Sequence, residues 1–190
     1  MINITIVAGA RPNFIKIAPI ISSLIENKSK ISYTLIHTGQ HFDKKMSDTF
    51  FTQLKIPKPD INLNCGGGSH AEQTSSIMVS FEKELLKNKT DLVLVVGDVT
   101  STMACSIVAK KLKIRLAHVE GGIRSNDLDM PEEINRLLTD SITDFFFVTT
   151  RNAKKNLIRE GHKKNKIFFV GNVMIDTLLA NKNKLRKFHK

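Results

Sequence analysis

The stretch Leu92-Val93-Leu94-Val95-Val96-Gly97-Asp98 decides the fold of this chain. Its first five residues are apolar without interruption. A parallel strand that helices cover on both faces has such a continuous apolar run, whereas a half-exposed strand alternates apolar and polar residues. Gly97 and Asp98 then end the run with a turn-forming residue and an acid. The stretch therefore predicts a deeply buried strand of a parallel sheet.

Strand-like and helix-like patterns alternate on either side of this run. Apolar segments typical of strands cover residues 4–8, 33–38, 115–119, 145–149 and 167–170. Between them, apolar side chains recur at helical spacing, for example at Phe14, Ile17 and Ile21 and again over residues 42–54. Pro19 interrupts the first of these helices, and we expect it to kink the helix or to leave a backbone carbonyl free. Six strands that alternate with helices predict an α/β fold with one doubly wound parallel sheet.

The length and composition favour one domain. The chain has 190 residues, of which 41% are hydrophobic, and this suffices for one well-packed core and is marginal for two. No apolar run reaches the roughly 18 residues of a transmembrane helix, and Met1–Ala8 lacks the basic leader and long apolar core of a signal peptide. Cys65 and Cys105 lie too far apart for a metal-binding or redox spacing. We therefore expect a cytoplasmic protein with reduced thiols, no metal and no membrane contact.

The net charge of +11 suits nucleic acid, anionic lipid or phosphorylated substrates as partners. Much of the excess lies late in the chain, at Lys154, Lys155, Lys163, Lys164, Lys166, Lys182, Lys184, Arg186, Lys187 and Lys190. Such a cluster is typical of a solvated surface. The chain also has no tryptophan and one tyrosine, so it lacks the aromatic side chains that nucleic-acid binding commonly uses. We therefore expect no nucleic-acid partner and keep a basic nucleic-acid binder as a disfavoured alternative.

Polar and charged residues follow the predicted strands, where ligands bind in open parallel α/β sheets. After the first strand, Arg11 offers a forked cation at a helix start that itself favours anions, and Lys16 lies about one turn further on. A tight turn with a surface arginine is the alternative interpretation. After the second strand, Gln40 and His41 have the polar groups to read sugar hydroxyls, although a histidine at a helix start is more often a cap.

The acids lie after two later strands. Asp98 follows the buried run, where functional acids occur in such folds, although an aspartate there also caps helices. The segment after residues 115–119 brings acids and arginines together, namely Glu120, Arg124, Glu132, Glu133 and Arg136. Carboxylates can move protons, and arginines can hold a diphosphate. Alternatively, Glu132 and Arg136, four residues apart on a helix, form a surface ion pair.

The motifs of nearly the whole chain, taken in order, resemble those of the non-hydrolysing UDP-N-acetylglucosamine 2-epimerases. They are GARPNFIK (9–16), HTGQHFD (37–43), GSHAEQT (68–74), GDVTST (97–102), HVEGGIRS (118–125), MPEEINR (130–136) and VGN (170–172). The resemblance implies a glycosyltransferase-B-like enzyme with two Rossmann-like domains and its substrate in the cleft between them. It also implies interconversion of UDP-GlcNAc and UDP-ManNAc without a cofactor, through elimination of UDP to 2-acetamidoglucal and its re-addition.

The resemblance implies particular roles for residues of this chain. The catalytic acids would be Asp98, Glu120 and Glu132, and the substrate or phosphate contacts would be Arg11, Lys16 and Arg136. Gln40 and Arg124 complete the substrate-binding residues that we predict. The partner is a UDP-sugar, and a homodimer is expected for the full-length protein.

The resemblance covers about half of the family's usual length. Residues 1–172 are expected to form the N-terminal Rossmann-like domain, and residues 173–190 a helix leading toward a UDP-binding domain that this chain lacks. We therefore expect a truncated or split N-terminal half that is inactive alone. Two alternatives stay open, a UDP-2,3-diacetamido-glucuronate 2-epimerase with different sugar substituents and an inactive binding or assembly domain.

Overall fold

The strands form one parallel sheet. The computed structural model describes residues 1–39, 51 and 56–185. Within these residues the strands are β1 (Ile2–Ala8), β2 (Ile31–His37), β3 (Ile61–Asn62), β4 (Leu92–Val96), β5 (Arg115–Val119), β6 (Phe145–Val148) and β7 (Ile167–Phe169). Their order is β3-β2-β1-β4-β5-β6-β7, and every neighbouring pair is parallel. The doubly wound parallel sheet predicted from the sequence is therefore confirmed.

Helices cover both faces of this sheet. In the described residues they are α1 (Arg11–Glu26), α2 (His70–Lys87), α3 (Thr100–Lys111), α4 (Pro131–Ile142), α5 (Arg151–Arg159) and α6 (Val173–Leu185), with a 3₁₀ turn at Lys164–Lys166. Leu94 and Val96 of β4 pack with α1, whereas Val93 and Val95 pack with α2 and α3. The apolar run is thus buried from both sides, as predicted. None of the described helices combines the length and apolar character that a membrane crossing requires.

The structure departs from the sequence prediction at short elements and element ends. The sequence predicts six strands, whereas the sheet has a seventh, β3, which pairs with β2 at its edge. Two residues are too few for an apolar pattern, so β3 has no signal of its own. The helix predicted from residue 102 begins earlier, at Thr100. The helix predicted over residues 42–54 lies outside the described residues, apart from Phe51.

Pro19 lies inside α1 without ending it. Proline lacks the N–H that would bond the carbonyl four residues earlier, which here belongs to Ile15. That carbonyl instead accepts a hydrogen bond from Thr177 Oγ1 of α6 at 2.7 Å. Pro19 therefore leaves this carbonyl without a helical donor, as predicted, and the hydrogen bond from Thr177 attaches α6 to α1. The helix expected from residue 173 begins at Val173, while the division into domains stays a prediction.

Candidate active site at the carboxyl ends of the strands

Three neighbouring strands end at one edge of the sheet, and two of the predicted acids lie there. β1, β4 and β5 are adjacent and parallel, so their carboxyl ends meet. Asp98 follows β4 after Gly97, and Glu120 follows β5 directly. A Cβ atom built on Gly97 would lie 3.1 Å from Lys16 Nζ and 3.9 Å from Glu120 Oε2. The structure thus brings Asp98, Glu120 and Lys16 to one site.

Glu120 combines an unusual backbone conformation with an ion pair. Its φ angle is +73°, in the left-handed region that costs a residue other than glycine about 1–3 kcal/mol. Its N–H donates to the carbonyl of Phe147 at 2.9 Å, which helps to fix the backbone. Its carboxylate pairs with Lys16 Nζ, and the side chains of Lys16 and Glu120 are 13% and 8% exposed. Backbone strain in a nearly buried acid marks Glu120 as a functional candidate.

Arg136 of α4 holds the side chain of Asp98. Its Nε and Nη2 atoms donate to Asp98 Oδ2 at 2.9 and 2.5 Å, and its Nη1 donates to Glu133 Oε2 at 3.0 Å. Burial tends to lower the pKa of Arg136, but Glu133 and Asp98 outweigh it and raise this pKa. Val99 occupies the cap position of α3, which has no side-chain cap. The capping interpretation of Asp98 is therefore wrong.

A buried polar network fixes the loop that follows β5. His118 Nδ1 contacts Asp140 Oδ1 at 2.7 Å, and His118 Nε2 contacts the carbonyl oxygen of Gly97 at 2.8 Å. The other carboxylate oxygen of Asp140 accepts the N–H of Gly122 at 2.9 Å. Burial tends to raise the pKa of Asp140, but His118, Arg124 and the N–H of Gly122 prevail and lower this pKa. Asp140 is thus a carboxylate that connects β5, its loop and α4.

Arg124 lies inside this network, and its side chain is only 4% exposed. Its Nη1 atom lies 2.7 Å from Asp140 Oδ2, and its Nε and Nη2 donate to the Glu160 carboxylate at 2.9 and 2.6 Å. These contacts suit a residue that holds the loop in place. A substrate contact through Arg124 stays a prediction.

The two adjacent acids at the start of α4 have different surroundings. Glu133 is 2% exposed, and its carboxylate accepts the N–H groups of Ser125 and Asn126, both at 3.0 Å. Burial tends to raise the pKa of Glu133, but these donors and Arg136 prevail and lower it. Glu132 is exposed, and its side chain has no hydrogen bond or ion pair to the residues that the structure describes. Arg136 contacts Glu133 in place of the surface pair with Glu132, whose catalytic role stays a prediction.

A sequence model of a protein family, described as UDP-N-acetylglucosamine 2-epimerase, matches residues 23–190. The chain belongs to this epimerase family. A curated relative of that name from Methanocaldococcus jannaschii is 49% identical over 178 residues, which cover 94% of this chain and 48% of the relative. A Pseudomonas aeruginosa relative named UDP-2,3-diacetamido-2,3-dideoxy-D-glucuronate 2-epimerase is 47% identical, over 91% of this chain and 49% of its own length.

A solved structure of an epimerase of this family is similar to nearly the whole chain. The crystal structure of Methanocaldococcus jannaschii UDP-GlcNAc 2-epimerase in complex with UDP-GlcNAc and UDP is similar to this chain with a TM-score of 0.93 and 48% identity. The match covers 98% of this chain and 51% of that chain. This epimerase-family chain therefore spans about half the length of the relatives that it matches.

Asn13 is not among the site residues predicted for this epimerase-family chain, yet it joins two strand ends. Its Oδ1 accepts the N–H groups of Gly9 and Ala10 at 3.0 and 2.9 Å, and its Nδ2 donates to the carbonyl of Val96 at 3.0 Å. The side chain is almost fully buried. Its position near the helix start is a usable signal, because a polar side chain there can satisfy N–H groups that lack helical partners.

The remaining predictions concern a surface arginine, two polar residues and the cysteines. Arg11 is exposed at the first residue of α1, whereas Gln40 and His41 lie outside the described residues. Cys65 and Cys105 are buried and free. Burial, together with Cys65, raises the pKa of the Cys105 thiol, which makes it a poor nucleophile. Within the described part of the epimerase-family chain, no group of three or more His, Cys, Asp and Glu side chains could hold a metal ion.

Proposed function

We propose that this chain is the N-terminal half of a UDP-N-acetylglucosamine 2-epimerase that interconverts UDP-GlcNAc and UDP-ManNAc. One observation carries the proposal. Asp98 and Glu120, at the carboxyl ends of adjacent strands, are each paired with a cation predicted to bind phosphate. Membership of the epimerase family and the relatives named UDP-N-acetylglucosamine 2-epimerase support it.

The reaction needs both kinds of side chain found at this site. A base removes the proton from carbon 2, the bond between carbon 1 and the UDP oxygen breaks, and UDP leaves with the bonding electrons. The product, 2-acetamidoglucal, has a double bond between carbons 1 and 2. Re-addition then returns the UDP oxygen to carbon 1 and a proton to the opposite face of carbon 2. Carboxyl groups move these protons, and cations hold the departed diphosphate for its return.

The residues divide between these two tasks. We assign proton transfer to the acids Asp98, Glu120 and Glu132, and substrate contacts to Arg11, Lys16, Gln40 and Arg136. Asp98 and Glu120 already lie at one edge of the sheet beside Lys16 and Arg136. We keep Arg124 as a predicted substrate contact, although its guanidinium faces Asp140 and Glu160 here.

A chimera in which residues 1–185 precede the second half of the Methanocaldococcus jannaschii relative tests the proposal. It should convert UDP-GlcNAc to UDP-ManNAc, and solvent deuterium should enter carbon 2 of the product. Glu120→Gln and Asp98→Asn should each lower turnover at saturating substrate by about 10²–10⁴-fold, because each amide keeps the shape and loses the acid. Near-parental turnover of both variants would show that the acids are structural and the mechanism is misassigned.

The 190-residue chain alone should turn over little or no UDP-GlcNAc. Positioning of reacting groups is worth about 7–11 kcal/mol in favourable cases, and half a cleft provides only part of it. Turnover by the purified chain is measured beside that of the chimera. Comparable rates would show that the second half is unnecessary.

A second substrate is favoured by one relative. The Pseudomonas aeruginosa relative at 47% identity is named for UDP-2,3-diacetamido-2,3-dideoxy-D-glucuronate. The same acids would serve that substrate, because the reacting carbon is again carbon 2. Offering both UDP-sugars to the chimera distinguishes the two, and the higher kcat/KM identifies the preferred sugar.

We further propose a homodimer in the cytoplasm for the complete protein. The observation that supports the dimer is an exposed apolar stripe on α4 formed by Ile134, Leu137 and Leu138. These positions share one face of the helix. Analytical ultracentrifugation of the chimera should give twice the protomer mass, and Leu138→Glu should return it to one protomer. A parental monomer would contradict the dimer.

A further inference from the structure

Each of the two acids at the site is occupied by a cation that the reaction needs elsewhere. Lys16 pairs with Glu120, and Arg136 pairs with Asp98. We propose that a diphosphate entering the site takes Lys16 and Arg136 from these acids, so that substrate binding itself releases Glu120 and Asp98. This exchange rests on the proposed function, since it assigns the two cations to the diphosphate.

In the first pair, the lysine is the partner able to move. The backbone of Glu120 is fixed by its left-handed conformation and by the hydrogen bond to Phe147. Lys16 instead carries its charge on a flexible four-carbon stem. Its ammonium lies over Gly97, where an added Cβ atom would come within 3.1 Å of it. A diphosphate beside Gly97 therefore draws Lys16 away while Glu120 stays in place.

In the second pair, Arg136 is shared unequally between two acids. Glu133 is buried and also holds two backbone N–H groups of the loop, so it is anchored. Asp98 has a side chain 29% exposed, and Arg136 meets it through one oxygen, Oδ2. A phosphate that takes the guanidinium fork displaces Asp98 and leaves the contact between Arg136 and Glu133 intact.

The exchange makes the two acids available for proton transfer only when substrate is bound. A carboxylate beside a cation is a weak base, whereas one that has lost its cation and gained an anionic neighbour binds a proton more tightly. Before substrate enters, each acid is occupied by its cation. Once the diphosphate is bound, the acids are free to transfer protons, and they stay free until UDP dissociates from the site.

Titration calorimetry of the 190-residue chain with inorganic pyrophosphate tests the competition. Glu120→Gln and Asp98→Asn each remove a competitor for a cation, so each should tighten pyrophosphate binding by about tenfold. Asp129→Asn is the matched control, because it removes the same charge from an exposed loop residue. It should change the dissociation constant by less than about twofold. Amide variants that bind no more tightly than the control, or no binding by any form, would overturn the exchange.

Carbon-13 NMR of the same chain tests the geometry. The carboxyl carbons of Asp98 and Glu120, assigned with the amide variants, should shift together as pyrophosphate saturates, and that of Glu133 should stay. Unmoved signals from Asp98 and Glu120 at saturation would contradict the exchange. Neither measurement uses sugar or turnover, so an inactive chimera with an intact exchange would overturn the proposed function alone.

Discussion

The site edge of the sheet and the surface of α6 are organised in opposite ways. At the site edge, buried polar groups such as His118 and Asp140 are paired with each other. On α6, by contrast, the exposed side chains include Met174, Ile175, Leu178 and Leu179. A cavity of about 340 Å³ beside α6 reaches down to Leu94 and Val119 of the sheet. Polar contacts within this chain therefore hold the acids, whereas the described residues leave the apolar surface of α6 uncovered.

Removing Asp140 should give the largest effect, because the polar organisation of the site edge depends on it. Asp140→Ala leaves His118 and Arg124 buried without their shared carboxylate. Loss of one partner from a buried ion pair typically costs about 3–5 kcal/mol of unfolding free energy. Urea denaturation measures the loss. Glu160→Ala is the control, since its carboxylate is 31% exposed and its loss should cost about 1 kcal/mol or less. Equal losses of unfolding free energy for the two variants would show that the network does not depend on Asp140 more than on Glu160.

Acid should weaken the site edge through His37, which ends β2. Burial lowers the pKa of His37 from 6.5 to about 4, and its Nδ1 accepts the N–H of Gly39 at 2.6 Å. The folded state therefore binds a proton less readily than the unfolded state. The contribution of neutral His37 to the unfolding free energy is therefore complete above about pH 6.5, and it is lost as the pH drops toward 4. Between pH 7 and pH 5 the unfolding free energy should decrease by about 2 kcal/mol.

The variant His37→Gln should remove most of that decrease, whatever it does to stability at pH 7. Denaturation of parent and variant at both pH values gives the comparison. The carboxyls whose pKa values are lowered, Glu72, Glu133 and Asp140, start from 4.5, 4.5 and 3.8, so they lose their contribution below this window. A variant with the same decrease as the parent would assign the acid sensitivity to another group.

Loss of the hydrogen bond that attaches α6 should lower the unfolding free energy by less than the changes described above. Thr177→Val removes the donor to the Ile15 carbonyl and should cost about 1 kcal/mol, whereas Thr177→Ser keeps the hydroxyl and should cost less. Pro19→Ala supplies an N–H to the same carbonyl. In a double-mutant cycle, Thr177→Val should therefore cost less in the Pro19→Ala background. Additive effects would show that the hydrogen bond does not attach α6.

The sequence predicts the sheet well because burial on both faces leaves a strong pattern. The apolar run at 92–96 and the helical spacing of Phe14, Ile17 and Ile21 each carry a local signal. Strand β3 carries none, since its two residues are placed by pairing with β2. Pro19 shows the limit of local reasoning. A free carbonyl follows from its chemistry, but the donor, Thr177, lies 162 residues from Ile15 in the sequence.

The residues of the candidate site also fall into those that the sequence predicts and those that only the tertiary structure places. Asp98 and Glu120 are found from their place after strands, because the topology of a parallel sheet brings strand ends together. The contacts of Arg124 are not found, since Asp140 lies in α4 and Glu160 directly follows α5, both later in the chain. From the sequence alone, an arginine near acids can therefore be interpreted either as a substrate contact or as a buried structural group. Only the tertiary contacts separate these interpretations.

The smallest expected effect is on α6 itself, and it sharpens the contrast with the site edge. Leu178 is exposed, so Leu178→Ser in the 190-residue chain should change the unfolding free energy by less than about 0.5 kcal/mol. In the chimera the same substitution should cost about 1.5–3 kcal/mol if the second half covers this leucine. Lys182→Ser, at an exposed charged position of α6, should be small in both proteins. A large loss in the short chain would mean that α6 already packs through Leu178, and equal small losses in both proteins would mean that the second half leaves it exposed. Because the relatives are about twice as long as this chain, the difference between the two proteins directly measures how much cover the second half provides.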